Sequence, residues 1–138
     1  MTKLDEIIED FRDLDNDFRL ELLMDYSEKL PPVPKAFLTK EQMESHKVHE
    51  CQTPVSLWVN VENNQVTIYA DVPRESPTVR GFLSMLIKAF NGHSPEEVAE
   101  APNDILQETG LTQTLGMNRM YGLSAIYQRI KREVKEKS

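Results

Sequence analysis

The fold is decided by residues 55–70, which read VSLWVNVENNQVTIYA. Apolar residues alternate with other side chains before and after the central Glu62-Asn-Asn64, a pattern typical of two strands that each bury one face. Asparagine tolerates positive φ, so the central residues predict a tight turn and an antiparallel hairpin. We expect residues 47–50 to form a third, earlier strand, which would put Cys51 in the turn between two strands.

Two consecutive helices are predicted before the hairpin. Apolar residues recur at helical spacing over residues 3–14 and again over 17–29. Asn16 and Asp17 indicate a break with a new N-cap between them. A proline-rich stretch ends the second helix, and residues 35–46 read as a polar segment that leads into the sheet.

Four more helices are predicted after the hairpin. Ser76 as N-cap and Pro77 at the first helical position begin the first of them. A capping box at residues 94–97 opens a short helix, residues 102–110 form another, and Asn118 begins a long amphipathic helix. This order predicts an α+β fold in which a small three-stranded antiparallel sheet packs against helices.

The composition limits the classes of function. The chain has 138 residues with 16 basic and 23 acidic side chains, a net charge of −7. We therefore expect one domain, residues 1–138, that binds neither nucleic acid nor a membrane surface. The single cysteine excludes an internal disulfide, and MTKLDEIIEDF lacks an apolar signal core, so a location in the reducing cytoplasm is predicted. The acid-rich residues 5–17 form either a solvated helix face or a docking surface for a basic partner.

The candidate chemistry centres on Cys51. The chain has no glycine-rich phosphate loop and no G-x-S-x-G, C-x-x-C or H-E-x-x-H motif. His46, His49 and Cys51 are close in sequence, but strand geometry would point His46 away from the other two, so we expect solvated histidines and no metal. A lone cysteine is either a small buried side chain or a reactive thiol at a loop tip. His49 would support a thiolate when protonated, whereas Glu50 would oppose it.

Colinear motifs run through nearly the whole chain. They are Val48-His-Glu-Cys-Gln-Thr-Pro-Val55, Pro77-Thr-Val-Arg-Gly-Phe-Leu-Ser-Met-Leu86, Phe90-Asn-Gly92, Ser94-Pro-Glu-Glu-Val98, Asn118-Arg119 and Gly122-Leu123. In this order the motifs resemble the SufE/CsdE family of sulfur acceptors for cysteine desulfurases, and the resemblance implies the fold of that family.

The resemblance also implies roles for individual residues. Cys51 matches the family's persulfide-forming cysteine, and Gln52 matches the residue after it. Asp71 matches an acid that closes the second long strand, and Arg119 matches an arginine at the start of the final helix. We expect Gln52, Asp71, Arg119 and the neighbouring His49 to support the site or to bind the partner.

Three positions depart from the family pattern. Glu50 stands where the family commonly has glycine before the cysteine, which stiffens the loop and changes its charge. Gly116-Met117 replaces Ser/Thr-Pro ahead of the terminal helix, which makes a weaker cap. Trp58 lies further along the strand than the family's tryptophan.

The function implied by the resemblance is that of a sulfur-transfer accessory protein rather than a stand-alone enzyme. A pyridoxal-phosphate cysteine desulfurase of the SufS/CsdA kind would pass persulfide sulfur to Cys51. Cys51 would carry the sulfur to iron–sulfur scaffold proteins, and the carrier itself would need no cofactor.

Two alternatives stay open. One is a binding module that stimulates a desulfurase allosterically without carrying sulfur, and the other is a structural interaction protein with an inert cysteine. For a sulfur carrier, we expect Cys51 at the edge of the core with little exposed sulfur. We also expect Arg119 on the same face as Cys51.

Overall fold

The computed structural model describes residues 2–138. Within that range the chain forms eight α-helices, one 3₁₀ helix and two β-strands. In chain order these are α1 (Lys3–Arg12), α2 (Asn16–Glu28), the 3₁₀ helix (Lys35–Phe37), α3 (Lys40–Ser45), β1 (Ser56–Glu62), β2 (Gln65–Asp71), α4 (Pro77–Phe90), α5 (Pro95–Glu100), α6 (Ile105–Thr109), α7 (Leu111–Thr114) and α8 (Met117–Lys137). The predicted α+β class is confirmed.

The sheet is an antiparallel hairpin of β1 and β2. Ser56 pairs with Asp71 at its open end, and Val61 pairs with Val66 near the turn. Asn63 and Asn64 have φ values of 54° and 60°, which are the left-handed values that a two-residue hairpin turn requires. The inner face of the sheet packs on α4 and α8. Its fully buried residues are Leu57, Val59, Val66, Ile68 and Ala70.

The prediction of a third strand is wrong. Within residues 2–138 the sheet has two strands, and residues 47–50 contribute one isolated bridge, between Lys47 and Ser56. The Val48 amide donates to the Val55 carbonyl at 2.9 Å, but the Cys51 amide then donates back to the Val48 carbonyl at 3.4 Å. The chain therefore turns away from β1 after a single pair, before a ladder can form.

The outer face of the sheet is covered at Trp58. Trp58 is 6% exposed, and its ring stacks between Phe37 and His46 with centroid distances of 5.3 and 5.2 Å. The Trp58 indole N–H donates to the Gln42 side chain at 3.4 Å. Residues 35–46 are thus a lid of two short helices on the sheet, and not only a polar lead-in as expected.

Helix α4 forms the centre of the molecule, because eleven of its fourteen residues are buried. Helix α2 crosses it closely at Gly81, where a Cβ atom would collide with the Leu23 carbonyl. Glycine is required there for close approach of the two backbones rather than for a special φ value. This contact joins the N-terminal helices to the rest of the core.

The helix caps differ in part from those predicted. Asp15, one residue before the expected break, caps α2 by accepting from the Phe18 amide at 3.1 Å. Ser76 holds the N-cap position of α4, but its side chain makes no capping hydrogen bond. Ser94 accepts from the Glu97 amide at 3.3 Å, which is one half of the predicted capping box.

Arg19 is a buried cation where α1 and α2 meet α6 and α7. It is 5% exposed and donates six hydrogen bonds. Carbonyls at the end of α1 accept from it, Phe11 at 2.9 Å and Leu14 at 2.6 Å, and so does Gly110 after α6 at 3.2 Å. The guanidinium therefore satisfies carbonyls that have no partner within their own helices. Sequence analysis did not single out this residue.

Candidate functional site

Cys51 lies in the turn that follows the Lys47 bridge. Its side chain is half-buried and packs against the edge of the hydrophobic core. On another side the sulfur faces α8, where a Cβ atom on Gly122 would lie 3.2 Å from Sγ. Glycine at this position leaves the thiol ordinary van der Waals space, so a backbone segment of α8 forms one wall of the cysteine site.

Helix α8 is anchored firmly behind that wall. Its buried stripe consists of Leu123, Ile126, Tyr127, Ile130 and Val134. The Tyr127 hydroxyl donates to the Pro102 carbonyl at 2.5 Å, and burial raises the pKa of Tyr127 well above its ordinary value. The N-cap residue Gly116 makes no side-chain hydrogen bond, as expected for glycine in place of Ser/Thr.

A surface cavity of about 430 Å³ opens beside the thiol. The Cys51 turn, the start of α4 and the first turns of α8 form its walls. Its lining includes Cys51, Gln52, Arg119, Tyr121 and Gly122. This volume lies within the range of sites that accept a small molecule or a few side chains of a partner.

Charged groups of both signs line this cavity. Arg119 is exposed, and it makes no salt bridge with any of residues 2–138. Glu50 and Glu75 also belong to the lining. The Glu50 carboxylate faces Arg129 at 3.6 Å and Arg132 at 3.8 Å, both on α8. Arg119 is therefore a cation at the cavity that remains available to an incoming anion.

This arrangement supports thiol chemistry. A thiolate is the reactive form of cysteine, and a guanidinium stabilises an anion to which it donates a hydrogen bond. Arg119 lines the same cavity as Cys51. The half-buried position of Cys51 limits its contact with solvent, while the open cavity leaves a path to it.

The comparison with known families agrees with this geometry. Residues 5–134 match the family model for SufE, described as an Fe-S metabolism associated domain. The chain belongs to the SufE family. Membership associates it with iron–sulfur metabolism.

Relatives of this SufE chain are similar along most of their length. An uncharacterized SufE-like protein of Mycobacterium tuberculosis is 34% identical over 134 residues, which cover 96% of this chain and 92% of the relative. One from Synechocystis is 29% identical over 126 residues, which cover 91% and 76%. The solution structure of a hypothetical protein from Thermus thermophilus superposes with a TM-score of 0.83 at 34% identity, covering 99% of this chain and 98% of that one.

The site residues expected from sequence separate into two groups in the SufE fold. Cys51, Gln52 and Arg119 line the same cavity, so Arg119 and Cys51 share one face. Asp71 lies at the end of β2, where it pairs with Ser56 in the hairpin register, and it does not belong to the lining. His49 is exposed in the turn and is also outside the lining. The functional roles of all these residues stay predictions.

Three residues of the site were not assigned a role from sequence. Gly122 gives the thiol its space, and Tyr121 is 71% exposed at the cavity rim. Arg129 binds the Cys51 turn to α8 through Glu50. A large aromatic residue on the polar side of a predicted amphipathic helix was the available signal for Tyr121. Gly122 and Arg129 act on a turn more than seventy residues away, which helical spacing does not reveal.

Of the two histidines near Cys51, His49 is exposed and His46 is partly buried. His46 stacks on Trp58, and its Nδ1 lies 2.9 Å from the Gln42 carbonyl. Across residues 2–138, no three His, Cys, Asp or Glu side chains gather into a metal-binding group. The described helices also include none with the length and apolar character needed to cross a membrane.

Proposed function

We propose that this SufE chain is a sulfur acceptor and carrier in iron–sulfur cluster assembly. Cys51 takes persulfide sulfur from a pyridoxal-phosphate cysteine desulfurase of the SufS/CsdA kind and passes it to an iron–sulfur scaffold protein. The observation that carries the proposal is the half-buried Cys51 thiol in the wall of a 430 Å³ cavity whose lining includes Arg119. Family membership supports the same pathway.

The transfer is a thiol–persulfide exchange. The Cys51 thiolate attacks the terminal sulfur of the desulfurase persulfide, and a new S–S bond forms on Cys51. The S–S bond within the donor breaks, and the donor cysteine leaves as a thiolate. No net oxidation occurs, because one persulfide and one thiol are exchanged for another persulfide and another thiol. The reaction requires no redox cofactor on this chain.

The cavity lining suits each part of this exchange. The Arg119 guanidinium stabilises either the attacking thiolate or a carboxylate of the partner. Because Gly122 has no side chain, there is room beside the Cys51 sulfur on the side of α8. A half-buried sulfur is protected from solvent reductants between loading and delivery.

Exposed apolar side chains beside the cavity support a protein partner. Met117 and Tyr121 are 65% and 71% exposed, and they lie one turn apart on the first turns of α8. Large exposed apolar groups next to a reactive residue are typical of a binding surface, and tyrosine is enriched among interface hot spots. A desulfurase that covers these two residues would also cover the mouth of the cavity.

Intact mass spectrometry tests this function. The protein is incubated with the desulfurase of the same organism and L-cysteine, and we expect added sulfur that a thiol reductant removes. Since Cys51 is the only cysteine of the chain, the added mass is assigned to it. Cys51→Ser should keep the melting temperature and gain no sulfur, because a hydroxyl carries almost no anion near neutral pH.

The rate of the desulfurase and the reactivity of the native thiol, measured beside the mass, separate the alternatives. A Cys51→Ser variant that accelerates the desulfurase as well as the wild type would indicate a stimulating binding module. Wild-type protein that never gains sulfur, with a thiol that reacts only on unfolding, would indicate a structural protein with an inert cysteine. Either result contradicts the carrier function.

A further inference from the structure

The Cys51 turn is held against α8 by a group of charged side chains. Arg129 Nη1 lies 3.6 Å from the Glu50 carboxylate and also donates to the Lys47 carbonyl at 2.9 Å. Arg132 approaches the same carboxylate at 3.8 Å. Arg129 therefore holds the chain at two points on the N-terminal side of Cys51, at Lys47 and at Glu50, and Arg132 approaches it at Glu50.

Arg129 is itself fixed for this contact. Its Nε donates to the Glu133 carboxylate at 2.9 Å, and the side chain is only 17% exposed. Because the guanidinium is planar, orienting Nε also orients the Nη atoms that face the turn. Glu133 in turn contacts Lys137 at 3.2 Å. The turn thus docks on a preformed side-chain network of α8.

We propose that Glu50, Arg129 and Arg132 are positioning residues that clamp the Cys51 turn on α8 and set how often the thiol is presented outward. Backbone pairing alone holds this turn weakly, since it meets the sheet through a single bridge at Lys47. The clamp therefore supplies the restraint that a third strand would have given. Its use in sulfur transfer rests on the proposed function of Cys51.

The size of the effect follows from the exposure of the groups. Glu50 and Arg132 side chains are 44% and 56% exposed, and ion pairs of this kind stabilise a conformation by about 0.2–1 kcal/mol. Removal of one partner should raise the population of the released turn by roughly up to fivefold. The fold itself does not depend on these exposed pairs, so the melting temperature should hardly change.

Alkylation of native Cys51 by iodoacetamide reports on access to the sulfur, which is half-buried while the turn is clamped and becomes more accessible when the turn is released. The reagent is neutral, so it is indifferent to protein charge. We expect Glu50→Gln and Arg132→Gln each to react about 1.4- to fivefold faster than the wild type at low salt. Lys135→Gln is the matched control, because Lys135 is exposed on the same helix and makes no salt bridge within residues 2–138. This control should react at the wild-type rate.

The two substitutions change the charge in opposite directions, which isolates the clamp. Removing the Glu50 charge favours a thiolate through space, and removing the Arg132 charge disfavours it. Only release of the turn accelerates both variants. Wild-type alkylation should also rise with added salt, because salt screens exposed pairs, and the rise should be smaller in Glu50→Gln.

An Arg132→Gln rate that is unchanged or slower than the wild type would overturn the clamp. So would equal changes in Arg132→Gln and Lys135→Gln, which would indicate a general charge effect. The alkylation assay contains no desulfurase. A wild-type protein that takes up no sulfur would therefore contradict the proposed function and leave the clamp intact.

Discussion

Replacing Arg119 with alanine should slow sulfur transfer to Cys51 without destabilising the protein. Arg119 is exposed at the cavity and makes no salt bridge with residues 2–138, so its removal leaves no buried group unpaired. In the complex its guanidinium would meet a partner carboxylate or the developing thiolate, a charge-assisted hydrogen bond worth about 1.5–3 kcal/mol. Since about 1.4 kcal/mol is a factor of ten, the expected loss is roughly 10- to 150-fold.

The assay is the rate at which Cys51 gains sulfur, followed by acid quenching and intact mass at several desulfurase concentrations. The concentration dependence separates weaker binding from slower transfer. Arg119→Lys should recover part of the rate, because it retains a positive charge but not the fork of donors. Lys135→Ala removes the same charge from α8 about 24 Å further along the helix, and it should transfer sulfur at the wild-type rate.

Wild-type kinetics in Arg119→Ala would refute this reasoning and leave Arg119 as a solvated surface side chain. An equal loss in Lys135→Ala would mean that net charge steers the encounter and that the guanidinium at the cavity has no special part. A drop in melting temperature in Arg119→Ala would show that the side chain has a structural contact.

Three further substitutions test the surroundings of the site. Arg19→Met should lower the free energy of unfolding by about 3–5 kcal/mol in urea titrations, since it leaves several buried carbonyls unpaired; a loss below about 1 kcal/mol would contradict the structural role of Arg19. Tyr121→Ala should weaken desulfurase binding by about 1–2 kcal/mol in calorimetry, while Phe18→Ala, which removes a 57% exposed side chain from α2, should not. Gly122→Ala would put a methyl group 3.2 Å from the Cys51 sulfur, which should push the turn outward and accelerate alkylation. The melting temperature should stay unchanged or rise slightly, because alanine favours a helix more than glycine does. Slower alkylation would mean that the turn does not move outward.

Local patterns in the sequence were sufficient for the parts of the fold that depend on neighbours in the chain. The hairpin follows from strict alternation and from Asn63 and Asn64, whose left-handed φ values the turn requires. The prediction of a third strand was wrong because the four residues 47–50 are too few to specify whether backbone pairing with β1 continues beyond Lys47. Alternation also does not reveal that Trp58, on the face opposite to Leu57 and Val59, is covered by Phe37 and His46.

The candidate site shows the same division. Motifs identified Cys51, Gln52 and Arg119, and these three residues line one cavity. Asp71 was selected by the same resemblance and His49 by its position near the cysteine, and neither of them belongs to the cavity lining. The clamp could not be predicted from sequence, because it consists of contacts between Glu50 and side chains about eighty residues later. No local sequence pattern indicates such contacts.

The absence of a third strand and the presence of an ionic clamp have a common consequence for the release of Cys51. A turn bound to a sheet by a full ladder could release its cysteine only by breaking several backbone hydrogen bonds, each worth about 0.5–1.5 kcal/mol. Here one bridge, the Arg129–Lys47 hydrogen bond, a few ion pairs and the packing of Cys51 at the core edge hold the turn, so release breaks fewer backbone hydrogen bonds and leaves β1 and β2 intact. A partner that brings its own charges can replace the Glu50 contacts one for one. The restraint on Cys51 is therefore strong enough to shelter the thiol and weak enough for a docking partner to remove.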